Sequence, residues 1–187
     1  IMNIGKSGGA VLFVGGKSEA RSIIEKCAKK IDQPYVASRW IGGTLTNFAQ
    51  IRKRVELMEN LISQKEKGEL AKYTKKERLM IDRDVERLDR FFGGLVNLKQ
   101  LPKVMFVVDP RREHIAVAEA HVAGVPVVAL AGSDCNMKDV EYAIPGNDAT
   151  MKSVTYFTNK IVTAYEQGLK LKVKSELKEE SKEVDKE

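Results

Sequence analysis

Apolar residues along the chain follow two rhythms, and the change between them sets the predicted architecture. Five short runs are continuous rather than alternating: Ala10-Val11-Leu12-Phe13-Val14, Pro34-Tyr35-Val36, Val104-Met105-Phe106-Val107-Val108, Val127-Val128-Ala129-Leu130 and Tyr142-Ala143-Ile144. Such runs suit strands buried on both faces, as in a parallel sheet. Helical spacing fills the gaps between them. Ser18 is a plausible N-cap, after which Ala20, Ile23, Ile24, Cys27 and Ala28 recur on one face up to Lys30. Ile115, Ala116, Ala118, Glu119 and Val122 fit a second amphipathic helix, ended by Gly124, and a last helix is predicted from near Asn147-Asp148 to Gly168. Strands alternating with helices predict an α/β fold with a parallel sheet covered on both faces.

Between Asn47 and Phe92 the strand rhythm stops. Phe48, Ile51, Val55, Met58 and Ile62 step by three and four, and Gln64 to Lys72, with Gly68, breaks the pattern. Thr74-Lys75-Lys76-Glu77 then has the form of a capping box opening a second helix, on which Ile81, Val85, Leu88 and Phe92 make the matching seam before Gly93-Gly94. Two helices of this length, at 1.5 Å per residue, reach about 30 Å, too far to lie wholly on the body, so the pair is expected to project. The predicted organisation is a discontinuous α/β domain over 1–43 and 93–168, an inserted antiparallel coiled-coil hairpin over 44–92, and a Lys- and Glu-rich tail over 169–187. Trp40, with Gly42 and Gly43, is expected to pack the base of the hairpin, where small residues allow close backbone approach.

Charge narrows the function. A formal charge of +6 fits a polyanionic partner, nucleic acid or membrane surface, while 6% aromatic content argues against a platform for stacking single-stranded bases. No apolar run approaches the roughly 20 residues that cross a bilayer. Nor does the N-terminus have a basic stretch followed by an apolar one, so no secretory signal is expected; the chain opens on Ile1, and residues upstream are expected to be missing. Cys27 and Cys135 lack CxxC spacing and are read as ordinary reduced thiols.

Gly16-Lys17-Ser18 stands at a strand-to-helix turn, where a phosphate-binding loop would be. The P-loop pattern needs a glycine five residues before Gly16, and that position is Val11, inside the strand; Gly5-Lys6-Ser7 fails as well. The turn reads as a tight glycine turn that leaves Lys17 free to meet a phosphate from outside. His114 and His121 lie two turns apart, too far for a zincin pair, and are assigned structural or surface roles. Asp109, Asp134, Asp139 and Asp148 lie near ends of apolar runs, where α/β folds place active sites, but turns and caps explain most of them. No nucleophile elbow occurs, and no reaction, cofactor or metal is assigned. The basic residues Lys6, Lys17, Arg21, Arg39, Arg52, Arg54, Lys75, Lys76, Arg78, Arg111 and Arg112 gather at turns, helix starts and the hairpin base, and are taken as phosphate contacts. The alternatives are a nucleotide- or sugar-phosphate-binding enzyme on the same fold and a coiled-coil interaction module without RNA.

Several motifs resemble, in order, the second small-subunit ribosomal protein family in its bacterial form. They are Val11-Leu12-Phe13-Val14-Gly15-Gly16-Lys17, Tyr35-Val36, Arg39-Trp40-Ile41-Gly42-Gly43, Leu45-Thr46-Asn47-Phe48, Thr74-Lys75-Lys76-Glu77, Gly93-Gly94, Leu101-Pro102, Phe106-Val107-Val108-Asp109-Pro110, Glu113, Ile115-Ala116-Val117, Glu119-Ala120, Pro126-Val127 and Ile144-Pro145-Gly146-Asn147-Asp148. The resemblance covers roughly residues 8 to 168. It implies a flavodoxin-like domain with the inserted coiled-coil hairpin, and a non-enzymatic place in the small ribosomal subunit between head and body. Implied partners are small-subunit rRNA and neighbouring ribosomal proteins, including the large S1-type mRNA-binding protein, with no membrane and no homo-oligomer. The long hairpin points to a bacterial chain in the cytoplasm or to an organellar ribosome. The family's roughly fifty N-terminal residues are absent. Ala131-Gly132-Ser133-Asp134-Cys135-Asn136-Met137 also departs from the family's V-D-T-N-C-D-P, and Asn147-Asp148-Ala149 from its Asn-Asp-Asp, so a metal held by such carboxylates is not assigned here.

Overall fold

The computed structural model describes residues 1–184, excluding the side chains of Ala71 and of residues 174–184. In chain order the elements are α1 Met2–Ser7, β1 Val11–Val14, α2 Ser18–Lys30, β2 Tyr35–Val36, α3 Phe48–Glu66, α4 Lys75–Phe92, β3 Val104–Val108, α5 His114–Val122, β4 Val127–Ala131, β5 Tyr142–Pro145 and α6 Met151–Val184. The strands form one parallel sheet in the order β2-β1-β3-β4-β5, the flavodoxin-like arrangement. β1, β3 and β4 are buried along their whole length, so these three runs are two-sided core, whereas the edge strands β2 and β5 are only partly buried.

Alternation along β1 divides the interior. Val11 and Phe13 face a cluster with Ile24 of α2 and Val154, Val162 and Tyr165 of α6, and Phe13 meets Phe106 edge-on at 5.8 Å between ring centroids. Leu12 and Val14 face the opposite cluster, shared with Ala116, Val117 and Ala120 of α5. Ile51, Val55 and Met58 of α3 and Leu88 and Phe92 of α4 join this second cluster. Arg52 Nη1, near the start of α3, donates to the Val96 carbonyl just beyond α4 at 2.9 Å, and Lys65, near the end of α3, bonds Asp82 at 2.6 Å. The two helices therefore run in opposite directions with their β2 ends against the sheet. Toward the far end the apolar surface thins: Leu70 is buried there, and Leu79 and Met80 are exposed. The Thr74 hydroxyl and the Glu77 carboxylate form the capping box that starts α4.

Three expectations shift, the first on α5, whose buried face is Ala116, Val117, Glu119 and Ala120, with Ile115, Ala118 and Val122 exposed. Ser18 is the first helical residue of α2 rather than its cap, and its hydroxyl donates to Glu19. Gly168 does not end the last helix, which starts at Met151 and continues to Val184, so the expected tail begins inside α6; residues 185–187 lie outside the described residues. Gly168 serves contact instead, since a Cβ there would strike the Met2 carbonyl of α1, whose buried Gly5 faces it. Among the described residues, no helix is long and apolar enough to cross a membrane.

Thr158 of α6 is fully buried, and its hydroxyl has no hydrogen-bond partner among the described residues. A buried, unpaired hydroxyl costs about 1–3 kcal/mol, and valine keeps the shape without the polar atom. Thr158→Val is expected to raise the melting temperature by about 2–4 °C, read by circular dichroism.

Candidate nucleic-acid interface

The segment between β2 and α3 is built around one carboxylate from another element. Glu119 lies on the inner side of α5 beside Ala116 and Ala120, 9% exposed. Its Oε1 accepts from the Gly43 backbone N–H at 2.7 Å and the Trp40 indole N–H at 3.1 Å. Its Oε2 accepts from the N–H groups of Leu45 at 3.0 Å and Thr46 at 3.4 Å, and from the Thr46 hydroxyl at 3.3 Å. Burial pushes the Glu119 pKa up, but these donors outweigh it and hold the carboxyl below the usual glutamate range. Gly43 adopts φ +90°, a conformation that opens the turn for glycine. Trp40 is buried in the cluster that holds the α3 and α4 bases, and the Ser38 hydroxyl donates to the Arg90 carbonyl at 2.8 Å. Glu119 thus fixes the chain where it turns into α3. Periodicity gave it no special place; the available signal was a glutamate between alanines on a face directed at the core.

A second polar centre lies where β1 and β3 end. Lys17 Nζ bonds Asp109 at 3.1 Å and Asp148 at 3.3 Å, and its side chain is 17% exposed. Burial lowers the Lys17 pKa, and the two carboxylates outweigh this and raise it. Asp109 sits at φ +66°, a left-handed conformation that aspartate tolerates better than most residues, and its Oδ1 accepts from the Arg112 N–H at 3.1 Å. Glu113 accepts from the Gly16 N–H at 3.1 Å, and burial raises its pKa. Of the four aspartates, Asp109 and Asp148 come together, whereas Asp134 pairs with Arg111 at 2.7 Å and Asp139 accepts from Asn136. His121 contacts the Asp139 carbonyl at 2.8 Å and Glu141 at 3.1 Å.

The basic residues named from sequence fall into separate places. Lys17, Arg21, Arg39, Arg111 and Arg112 surround the carboxyl ends of β1, β2 and β3. Lys75, Lys76 and Arg78 are exposed at the far end of the helix pair, where Lys75 and Arg78 line a pocket with Lys65 and Leu79. Arg54 is exposed along α3, and Lys6 is exposed on α1, which leads into the opposite ends of the strands. Four of the set are engaged within the chain: Lys17 as above, Arg21 with the Gly16 carbonyl, Arg111 with Asp134, and Arg52 with the Val96 carbonyl, Glu56 and Glu59.

The sequence profile of the ribosomal protein S2 family matches residues 1–168. The chain belongs to that family. Its curated relatives include the small ribosomal subunit protein uS2 of Nitratiruptor sp., 41% identical over 92% of this chain and 64% of the relative's length. The uS2 of Bdellovibrio bacteriovorus is 42% identical over 91% of this chain and 54% of its own length, and that of Roseiflexus castenholzii 43% over 87% and 62%. The chain thus spans about three-fifths of the length of these relatives.

Where the sequence departs from the family pattern, the structure shows what the local residues do. Asn147 Oδ1 accepts from the N–H groups of Ala149 and Thr150 in a turn before α6, with no need of a carboxylate at position 149. Oxygen or sulfur atoms of Asp109, Cys135 and Asp148 lie within 4.8 Å of one another. Lys17 already bonds both carboxylates of this group, so a fixed ammonium supplies the positive charge there.

Proposed function

We propose that this chain is a structural, non-catalytic component of the small ribosomal subunit, in which the α/β body is a rigid support and its basic loops neutralise rRNA phosphates. Family membership carries this reading, supported by basic residues grouped at the carboxyl ends of the strands and at the far end of the α3–α4 pair. The pair acts as an inserted coiled coil reaching a second rRNA or protein surface. Neighbouring ribosomal proteins, including the S1-type mRNA-binding protein, are the protein partners, and the bacterial or organellar ribosome is the location. The division into an α/β body over 1–43 and 93–168, an insert over 44–92 and a tail from 169 belongs to the same reading. A nucleotide-binding enzyme is disfavoured because Lys17, the group it would direct at a phosphate, is already bonded to two aspartates.

The test is sedimentation of the tagged, full-length protein through a sucrose gradient of its own cell lysate. Stoichiometric migration with the small subunit at moderate salt is expected, with release only at high salt. Protein remaining at the top of the gradient beside intact subunits would reject the reading. In direct binding, about six neutralised phosphates give a log–log salt slope of about −5 on duplex RNA.

A further inference from the structure

Three arginines at the carboxyl ends of β1, β2 and β3 keep guanidinium donors that nothing among the described residues uses. Among the described residues Arg21 makes a single side-chain bond, from Nε to the Gly16 carbonyl at 2.9 Å, which fixes the group and leaves its two terminal nitrogens open there. Arg39 and Arg112 are exposed, and their side chains make no hydrogen bond or ion pair among the described residues. All three line one pocket of about 290 Å³, with Trp40 and Ile115 as its apolar wall. Its position between the carboxyl ends of β1 and β3, where the strand order reverses, is the place at which open α/β sheets bind ligands.

Three features make the pocket a constructed one. Gly16 lines it, and a Cβ there would lie 2.7 Å from the Ser38 carbonyl and 2.8 Å from Glu113, so the backbone comes as close as it does only because the residue is glycine. Nearby cations are withdrawn from it: Lys17 is held by Asp109 and Asp148, and Arg111 by Asp134. The one carboxylate in the lining, Glu113, is 6% exposed and bonded to the Gly16 N–H, leaving the guanidinium groups in excess.

We propose that this pocket binds a phosphate group through Arg21, Arg39 and Arg112. A carboxylate is saturated by one or two guanidinium forks; a phosphate offers oxygens in several directions and takes three. The volume, close to that of ten water molecules at roughly 30 Å³ each, admits a phosphate with its ribose. The phosphate comes either from an RNA backbone or from a free nucleotide. The RNA source rests on the ribosomal reading above; the nucleotide source does not.

Trp40, the single tryptophan of the chain, lies in the pocket wall and reports occupancy by its fluorescence. Oligouridylate RNA, uridine monophosphate and inorganic phosphate are titrated into the full chain. Arg39→Ala and Arg112→Ala, both at exposed positions, are each expected to weaken binding about tenfold and to lower the salt slope for RNA by about one. Arg39→Lys restores only part of the loss, and Lys152→Ala, which removes the same charge from α6, leaves the Trp40 response unchanged. Saturation by RNA that the mononucleotide cannot compete away assigns the RNA backbone; saturation by the mononucleotide or phosphate alone assigns a free nucleotide. Arginine variants that bind every probe as tightly as Lys152→Ala overturn the pocket, and so does an unmutated chain whose Trp40 responds to none of them. The two readings separate cleanly. Arginine variants with unchanged affinity in a chain that still migrates with the small subunit overturn the pocket alone. Arginine-dependent mononucleotide binding by a chain that does not migrate with it overturns the ribosomal role alone.

Discussion

Glu119→Gln is expected to lower the melting temperature by about 6–12 °C, corresponding to about 3 kcal/mol, although it removes a single charge and changes no volume. Both carboxylate oxygens face donors: Gly43 and Trp40 on one side, Leu45 and Thr46 on the other. A glutamine amide has one oxygen, so its NH2 group meets N–H groups in a site that is 9% exposed, leaving buried donors unpaired whichever way it is turned. Hydrogen exchange is expected to rise at the Gly43, Leu45 and Thr46 amides and at the Trp40 indole, with α2 and α6 unaffected. The pH dependence has a definite sign. The Glu119 pKa is held below the ordinary range, so its contribution is present above the unfolded-state pKa and is lost as pH falls through the folded one. The difference between wild type and variant therefore narrows in acid. Unchanged stability at neutral pH, or exchange rising uniformly over the whole chain, would count against a carboxylate that fixes the entry to α3. Glu113, the residue that caps the start of the same helix, provides the contrast. It accepts from one backbone donor and burial raises its pKa, so the difference between the two glutamates lies in how many donors each meets.

Lys17→Met is expected to cost about 3–5 kcal/mol at neutral pH, because it strands two carboxylates in a partly buried site. The side chains of Asp109 and Asp148 are 12% and 10% exposed, and Lys17 is the ammonium that bonds both. Adding Asp148→Asn to the variant removes one of the stranded charges and is expected to recover a substantial part of the loss in urea titrations. The raised Lys17 pKa keeps this contribution fully present below the unfolded lysine pKa and removes it only as pH rises through the folded value, so the neutral range is flat. RNA affinity measured on the folded variant is expected to keep its salt slope, since the Lys17 charge is already neutralised inside the chain. A lower slope with unchanged stability would instead make Lys17 a phosphate contact.

These two residues show where reading the chain stops. Lys17 follows a glycine pair at a strand-to-helix turn, which is the local setting of a phosphate ligand, and nothing local discloses that Asp109 and Asp148 converge on it from 92 and 131 positions away. Glu119 sits in an ordinary amphipathic pattern whose buried polar member is explained only by donors 73 to 79 residues earlier. Gly168 carries a stop signal for a helix, yet α6 runs through it because α1 needs close approach at that point.

The sequence by itself determined the layering and every element but α1, with the end of α6 misplaced. Continuous apolar runs make strands, two-sided at β1, β3 and β4, three-and-four spacing makes amphipathic helices, and the capping box at Thr74 starts α4; each is a local rule acting over a few residues. The ordered motifs were also enough to point to the family. The tertiary structure alone decided which polar groups are available. Lys17, Arg52 and Arg111 were indistinguishable in sequence from Arg39 and Arg112, because ion pairing depends on side chains brought together across the fold. The carboxylates and carbonyl that engage the first three leave the donors of the other two open at the switch point.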